Sequence, residues 1–161
     1  PGINLGLEDE EENRGEIASQ ILISRGILQN NPGTVHWNIA PLMKNKELSE
    51  SLKNGPYHRN ALVPASPWLE VEIPEIPEFK LKDSERSIHF EWILEEPEDA
   101  FRCVVYYRYE DASWEYRILN LNSRMIDIPK KNIEKQNLVE IGVTAVGRTG
   151  KQSSFKKIYP N

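Results

Sequence analysis

One cysteine, Cys103, stands in 161 residues, which excludes an internal disulfide and any cysteine-rich zinc site. It fixes no compartment, because many exported bacterial proteins also lack disulfides. No run approaches the roughly 18 apolar residues that a membrane-spanning helix needs. Positive charge is in short supply: 20 Lys and Arg face 25 Asp and Glu, a net charge of -5. There is no basic footprint, so nucleic acid is not an expected partner. No Gly-rich phosphate loop, nucleophile elbow or zinc motif is present, and His58 and His89 have no partners at metal-ligand spacing. Neither a cofactor nor a metal is expected. The opening Pro1-Gly2 runs straight into acidic residues without a signal-peptide pattern. That opening is odd for a natural start, and the chain is expected to be a cut piece of a longer protein.

The composition is 39% hydrophobic and 28% charged, enough to bury a core. The length suits one ordinary domain or two small ones. The acidic excess lies in the first part, much of it in Glu8-Asp-Glu-Glu-Glu12.

The stretch Asn54-Gly-Pro-Tyr-His-Arg-Asn-Ala-Leu-Val-Pro-Ala-Ser-Pro-Trp-Leu69 divides the chain. Pro56, Pro64 and Pro67 each fix φ and push the preceding residue out of the helical region. The stretch is therefore extended or turned. It carries Tyr57, Leu62, Val63, Trp68 and Leu69, too apolar for a free linker, and reads as a strap that packs along a domain.

Before the strap, strand and helix alternate. Gly2–Leu7 is a short alternating run. Asn13 offers a helix N-cap with Glu16 at the capping-box position. Ile17, Ile21, Leu22 and Leu28 then recur at helical spacing, and Gly26 is the expected terminator. Thr34–Ile39 is the next β-run, ended by Pro41, and Glu47–Leu52 is a short second helix. Strands separated by helices imply parallel pairing. Two such units cannot close a sheet or cover both its faces, so this part reads as the tail of a larger α/β domain.

After the strap, Pro74 and Pro77 mark a boundary, giving domains 1–73 and 74–161. Helical periodicity then gives way to β-runs. Ile88, Phe90, Trp92 and Leu94 alternate onto one face, as do Phe101, Cys103, Val105 and Tyr107, and Val139, Ile141, Val143 and Ala145. Shorter runs cover Trp114–Leu119, Arg124–Ile128 and Ser154–Tyr159. With a first strand near Phe79 the count is about seven, as in an immunoglobulin-like sandwich.

Trp92 in the second strand, Val104-Val-Tyr-Tyr107 in the third and Gly142-Val-Thr-Ala-Val-Gly-Arg-Thr-Gly150 in the sixth resemble a fibronectin type III domain. Val139 departs from it, standing where many members carry a corner tyrosine. The first part resembles the end of the catalytic barrel in the family-10-like glycosyl hydrolases. The motifs are Glu16-Ile-Ala-Ser-Gln-Ile21 with Ser24-Arg25, Gly33-Thr-Val-His-Trp37, and Tyr57…Ala61-Leu-Val-Pro64…Pro67-Trp-Leu69. In that family, exported bacterial proteins that are often lipoproteins, the same strap leads into a fibronectin-like domain.

The resemblance implies the last two strand–helix units of a (β/α)8 barrel followed by an accessory sandwich, located in the periplasm or at the cell surface. It also implies a carbohydrate substrate and a missing N-terminal barrel portion, since a whole barrel takes about 250 residues. Barrel sites lie at the C-terminal strand ends, here Leu7-Glu8-Asp9 and His36-Trp37-Asn38. Glu8, Asp9, Trp37 and Asn38 are thus the candidate substrate-binding residues. No catalytic residue is assigned, because glycoside cleavage takes two carboxylates and the second would sit on absent strands. Each candidate has a plainer reading. Glu8 and Asp9 suit an acidic loop before a helix N-terminus, Trp37 suits a barrel-core or helix contact, and His36 a packed strand histidine.

Tyr57 and Trp68 read as strap anchors, Trp92 as core and Cys103 as a small core hydrophobe. Trp114, with Tyr109 and Tyr116 near it, reads as cross-strand packing or as an aromatic patch for carbohydrate. The rival readings of the whole are a non-catalytic carbohydrate-binding module and a protein-interaction or spacer module, which fold alone does not separate. Apolar surface left by the absent barrel is expected to fold back or to pair with another copy.

Overall fold

The computed structural model describes residues 2–4, 15–28, 33–69, 72–76, 78–93, 100–120 and 122–158. They form two compact units, Pro1–Asn60 and Ala61–Asn161. The division falls inside the strap, so Ala61–Leu69 belongs with the second unit.

The first unit runs β1 (Gly2–Asn4), α1 (Glu16–Ile27), β2 (Val35–Trp37), α2 (Ala40–Lys44) and α3 (Lys46–Asn54). β1 and β2 pair in parallel, with Ile3 beside His36 and Asn4 beside Trp37, as the strand–helix–strand order requires. Ile3 is buried with Ile17 and Ile21 of α1 and Leu48 and Leu52 of α3. The helices therefore cover one face of the pair.

Several local expectations change: of the positions read as one helix face, Ile17 and Ile21 are buried whereas Leu22 and Leu28 are exposed. Asn13 lies outside the described residues, and α1 is entered from Gly15, which is left-handed at φ 87° and gives no side-chain cap. Gly26 does not end α1. The helix passes through it and stops at Ile27, with Leu28 extended and its N–H on the Ser24 carbonyl. A glycine costs a helix only about 1 kcal/mol, less than the burial of Ile17 and Ile21 returns. Pro41 ends the β-run by opening α2, where its missing N–H leaves no bond unmade. Asn45 caps α3, its Oδ1 accepting the Leu48 N–H at 3.0 Å.

The second unit is an immunoglobulin-like sandwich. Its strands are β3 (Glu78–Asp83), β4 (Ser87–Ile93), β5 (Arg102–Tyr109), β6 (Glu115–Asn120), β7 (Met125–Pro129), β8 (Leu138–Val146) and β9 (Lys156–Ile158). One sheet has the order β3-β4-β7 and the other β6-β5-β8-β9, antiparallel throughout. Period-2 alternation puts Ile88, Phe90, Trp92 and Ile128 of the first sheet against Cys103, Val105, Tyr107, Ile141 and Val143 of the second. Phe90 stacks between Phe79 and Trp92, at 5.7 and 5.8 Å between ring centroids. Burial pushes the Cys103 thiol up to about 12, which keeps it an inert hydrophobe.

Val139 leaves the corner without its usual tyrosine. Tyr109 on β5 replaces it, donating its hydroxyl to the Pro129 carbonyl at 2.9 Å, where β7 ends.

Candidate functional site

The parallel pair presents its residues to two opposite sides. His36, level with Ile3, lies on the helix side. Its Nε2 is 2.6 Å from the Tyr57 hydroxyl, which is also 2.6 Å from Thr34 Oγ1. Arg25 of α1 reaches the same residue, with its guanidinium 5.2 Å from the Tyr57 ring centroid and Nη1 donating to the Pro56 carbonyl at 2.5 Å. Tyr57 thus ties α1, β2 and the start of the strap together, the anchoring role its place in the sequence implied, whereas Trp68, read as a second anchor, is exposed. Its partner His36 was not foreseen. The spacing Thr34-x-His36 was the available signal, because alternate strand residues share a face. Burial lowers the His36 pKa, and Nδ1 is buried with no partner among the described residues. His36 is therefore a packed neutral histidine holding Tyr57.

Trp37 takes the other side. It is 75% exposed, with Val35, Ile39 and Met43 also open to solvent. Asn38 follows in the left-handed region at φ 72°, a conformation asparagine tolerates. Its Oδ1 accepts the Ala40 N–H at 3.1 Å and so steadies the entry to α2. The C-terminal end of β2 therefore offers a bare indole beside a fixed turn. An indole face with nothing on it can take the C–H face of a sugar ring. Glu8 and Asp9 lie outside the described residues. Among the described residues no three His, Cys, Asp or Glu side chains come together as a metal site.

Trp114 in the sandwich is arranged differently. Arg108 and Lys157 each place a cation 5.8 Å from its ring centroid, and the Phe155 ring meets it edge-on at 5.8 Å. Phe155 in turn lies over Gly142, where even a Cβ would come within 2.2 Å of the ring. Tyr116 packs on Tyr106 across β5 and β6, and Tyr109 is buried. These aromatics are thus cross-strand packing, with the Trp114 ring already engaged. Below them, Glu140 is nearly buried and accepts from Arg108 Nε and Lys157 Nζ, both at 2.7 Å. Those two bonds, Lys157 first and then Arg108, hold the Glu140 carboxyl below the usual range against the opposing pull of burial. Cross-strand registry pairs Arg108 with Glu140, a contact between residues 32 apart that no local motif announces.

No family model matches the chain, and no curated protein does. Among solved structures, the "Myokine structure" is 12% identical over 56% of this chain and 100% of that one, at a TM-score of 0.40. An FN3 domain of human collagen XX is 13% identical over 62% of this chain and 100% of that one, at 0.41. A β-1,2-glucanase from Parabacteroides distasonis is 19% identical over 58% of this chain, at 0.39, and the match spans 14% of the glucanase. The sandwich assignment rests on its own strand order.

Proposed function

We propose that this chain supplies the closing strand–helix units of a carbohydrate-hydrolysing α/β barrel, with the sandwich as its accessory domain, and that it is inactive alone. One observation carries the reading. Among the described residues, β1 and β2 pair in parallel with helices on one face only, and the opposite face brings Val35 and Trp37 to solvent. Parallel sheets otherwise have both faces covered. In a barrel the face away from the helices is the interior, and strand C-termini carry the site. On this reading Trp37 is a sugar platform and Asn38 lies beside it, while Glu8 and Asp9, outside the described residues, follow β1 in the sequence. The remaining strands, with the second carboxylate that glycoside cleavage needs, belong to the N-terminal barrel portion. The setting is extracytoplasmic.

The test is an NMR titration of the ¹⁵N-labelled chain with β-linked gluco- and xylo-oligosaccharides, read at the Trp37 indole N–H. The expected result is a saturable shift with one series, accompanied by shifts of the His36 and Asn38 backbone amides that are lost in Trp37→Ala, and no product released. Turnover by the chain alone, or a Trp37 indole that responds to none of them, overturns the reading.

A further inference from the structure

The strap in the second unit builds one wall of a groove. Ser66 donates its N–H to the Thr149 carbonyl at 2.8 Å. Gly150, left-handed at φ 80°, lets the Val63 and Pro64 carbonyls approach to within 2.8 Å of where a Cβ would stand. The chain is thereby pressed onto the turn that follows β8. Leu62 and Val63 face Ile118 and Val146 across a mostly apolar space of about 180 Å³. A dry cavity of roughly 150 Å³ accepts a benzene-sized group, so this groove takes one apolar side chain and no long acyl chain.

The same groove is lined by Phe101, Arg102 and Arg148. The two guanidinium carbons lie 3.8 and 5.3 Å from the centroid of the Phe101 ring. Arg102 also donates to the Phe101 carbonyl at 3.2 Å. Neither guanidinium has an ion pair among the described residues, whereas Arg108 on the same sheet is answered by Glu140. Two cations converging on one ring repel each other, and in a chain of net charge -5 their gathering is conspicuous. A guanidinium stacked on an aromatic face keeps its N–H edge free for a carboxylate. Charge complementarity and groove size thus ask for the same ligand, an apolar side chain with a carboxylate beside it.

We propose that this groove docks an acidic peptide segment of a partner protein, with an aliphatic residue in the apolar space and a neighbouring Asp or Glu on Arg102 and Arg148. The proposal does not depend on the barrel reading, since every residue in it belongs to the sandwich unit.

The test titrates the ¹⁵N-labelled full chain with acetyl-Glu-Leu-Glu-amide. Saturable amide shifts are expected at Val63, Phe101, Arg102, Ile118 and Gly150. Acetyl-Gln-Leu-Gln-amide should bind roughly tenfold more weakly, as charge-assisted hydrogen bonds exceed neutral ones. The double variant Arg102→Gln, Arg148→Gln should lose the preference for the acidic peptide while keeping the dispersed spectrum of the folded sandwich. Arg102→Lys should retain part of it. Equal binding of the two peptides, or no shifts in the groove, overturns the proposal. So does hexanoate binding as tightly as the peptide, which would assign the groove to a small anion. Groove shifts that follow protein concentration without peptide would assign it to a second copy and equally overturn it.

Discussion

The two units of this chain solve burial differently. In the sandwich, each sheet turns its apolar face onto the other, and Phe90, Cys103, Val105, Ile141 and Val143 are wholly removed from water. In the first unit, among the described residues, only one face of the parallel pair is covered, and Trp37, Val35 and Ile39 remain open, as do Leu22, Ile23 and Ile27 on α1. Antiparallel sheets close a core in pairs. A parallel pair needs cover on both sides. An aromatic residue is therefore structural in one unit and available in the other.

The sharpest test of that contrast compares two rings. Phe90→Ala should cost about 3–5 kcal/mol, the range for emptying a fully buried aromatic site. Trp37→Ala should stay within about 0.5 kcal/mol, as for an exposed position away from any network. Urea unfolding followed by fluorescence and far-UV circular dichroism measures both. Comparable losses would mean that the exposed face is a hidden part of the first unit's core. The next effect lies inside that unit, where Ile21→Ala should cost about 2–5 kcal/mol. It should act first on the helical signal at 222 nm, since all described helices lie there. A loss near zero would show that α1 is not packed on Ile3 and Leu52.

Smaller again is the corner bond. Tyr109→Phe removes the hydroxyl from the Pro129 carbonyl and should cost about 1 kcal/mol. The sandwich should nevertheless fold, because Tyr109 keeps its ring in the core. An unchanged urea midpoint would leave the corner without its tie.

How much was legible in the sequence follows the same contrast. The sandwich strands repeat at period 2, and of the faces read, Ile88, Phe90 and Trp92, Cys103, Val105 and Tyr107, and Ile141, Val143 and Ala145 are buried, while Phe101 is exposed, Val139 half-buried and Leu94 outside the described residues. That signal is strong because β4, β5 and β8 each bury a side in the core. The first unit was legible in type but not in detail. Gly26 and Pro41 are punctuation marks whose meaning depends on what packs nearby. Trp37 and Asn38 were legible as the end of a strand, and alternation set Trp37 opposite His36. Which of the two met the helices depended on tertiary packing. Arg102 and Arg148 stand 46 positions apart, and only the sheet brings them to one ring. Long-range charge pairing leaves no period in a sequence.

The gentlest handle on the contrast is pH, because among the described residues each unit holds one displaced group that titrates on the acid side of neutrality, and the two respond in different windows. Burial keeps the His36 pKa below its ordinary 6.5. The unfolded chain then takes up a proton that the folded one refuses, so the first unit weakens as pH falls below about 6.5 toward the folded value. Glu140 is lowered from its ordinary 4.5 by hydrogen bonds from Lys157 and Arg108. Its contribution is intact above about 4.5 and is lost as pH falls through the lower folded value. Arg108 and Lys157 are partly exposed, so salt should blunt this second effect. Thermal unfolding across pH 7 to 3 should therefore show the 222 nm signal weakening first, as pH falls below about 6.5. The near-ultraviolet signal of the sandwich aromatics should hold until below about pH 4.5. His36→Gln should flatten the upper slope alone, and Glu140→Gln the lower slope alone. If both signals fell together at one pH, or if the upper slope survived in His36→Gln, the two units would not be separately governed by these groups.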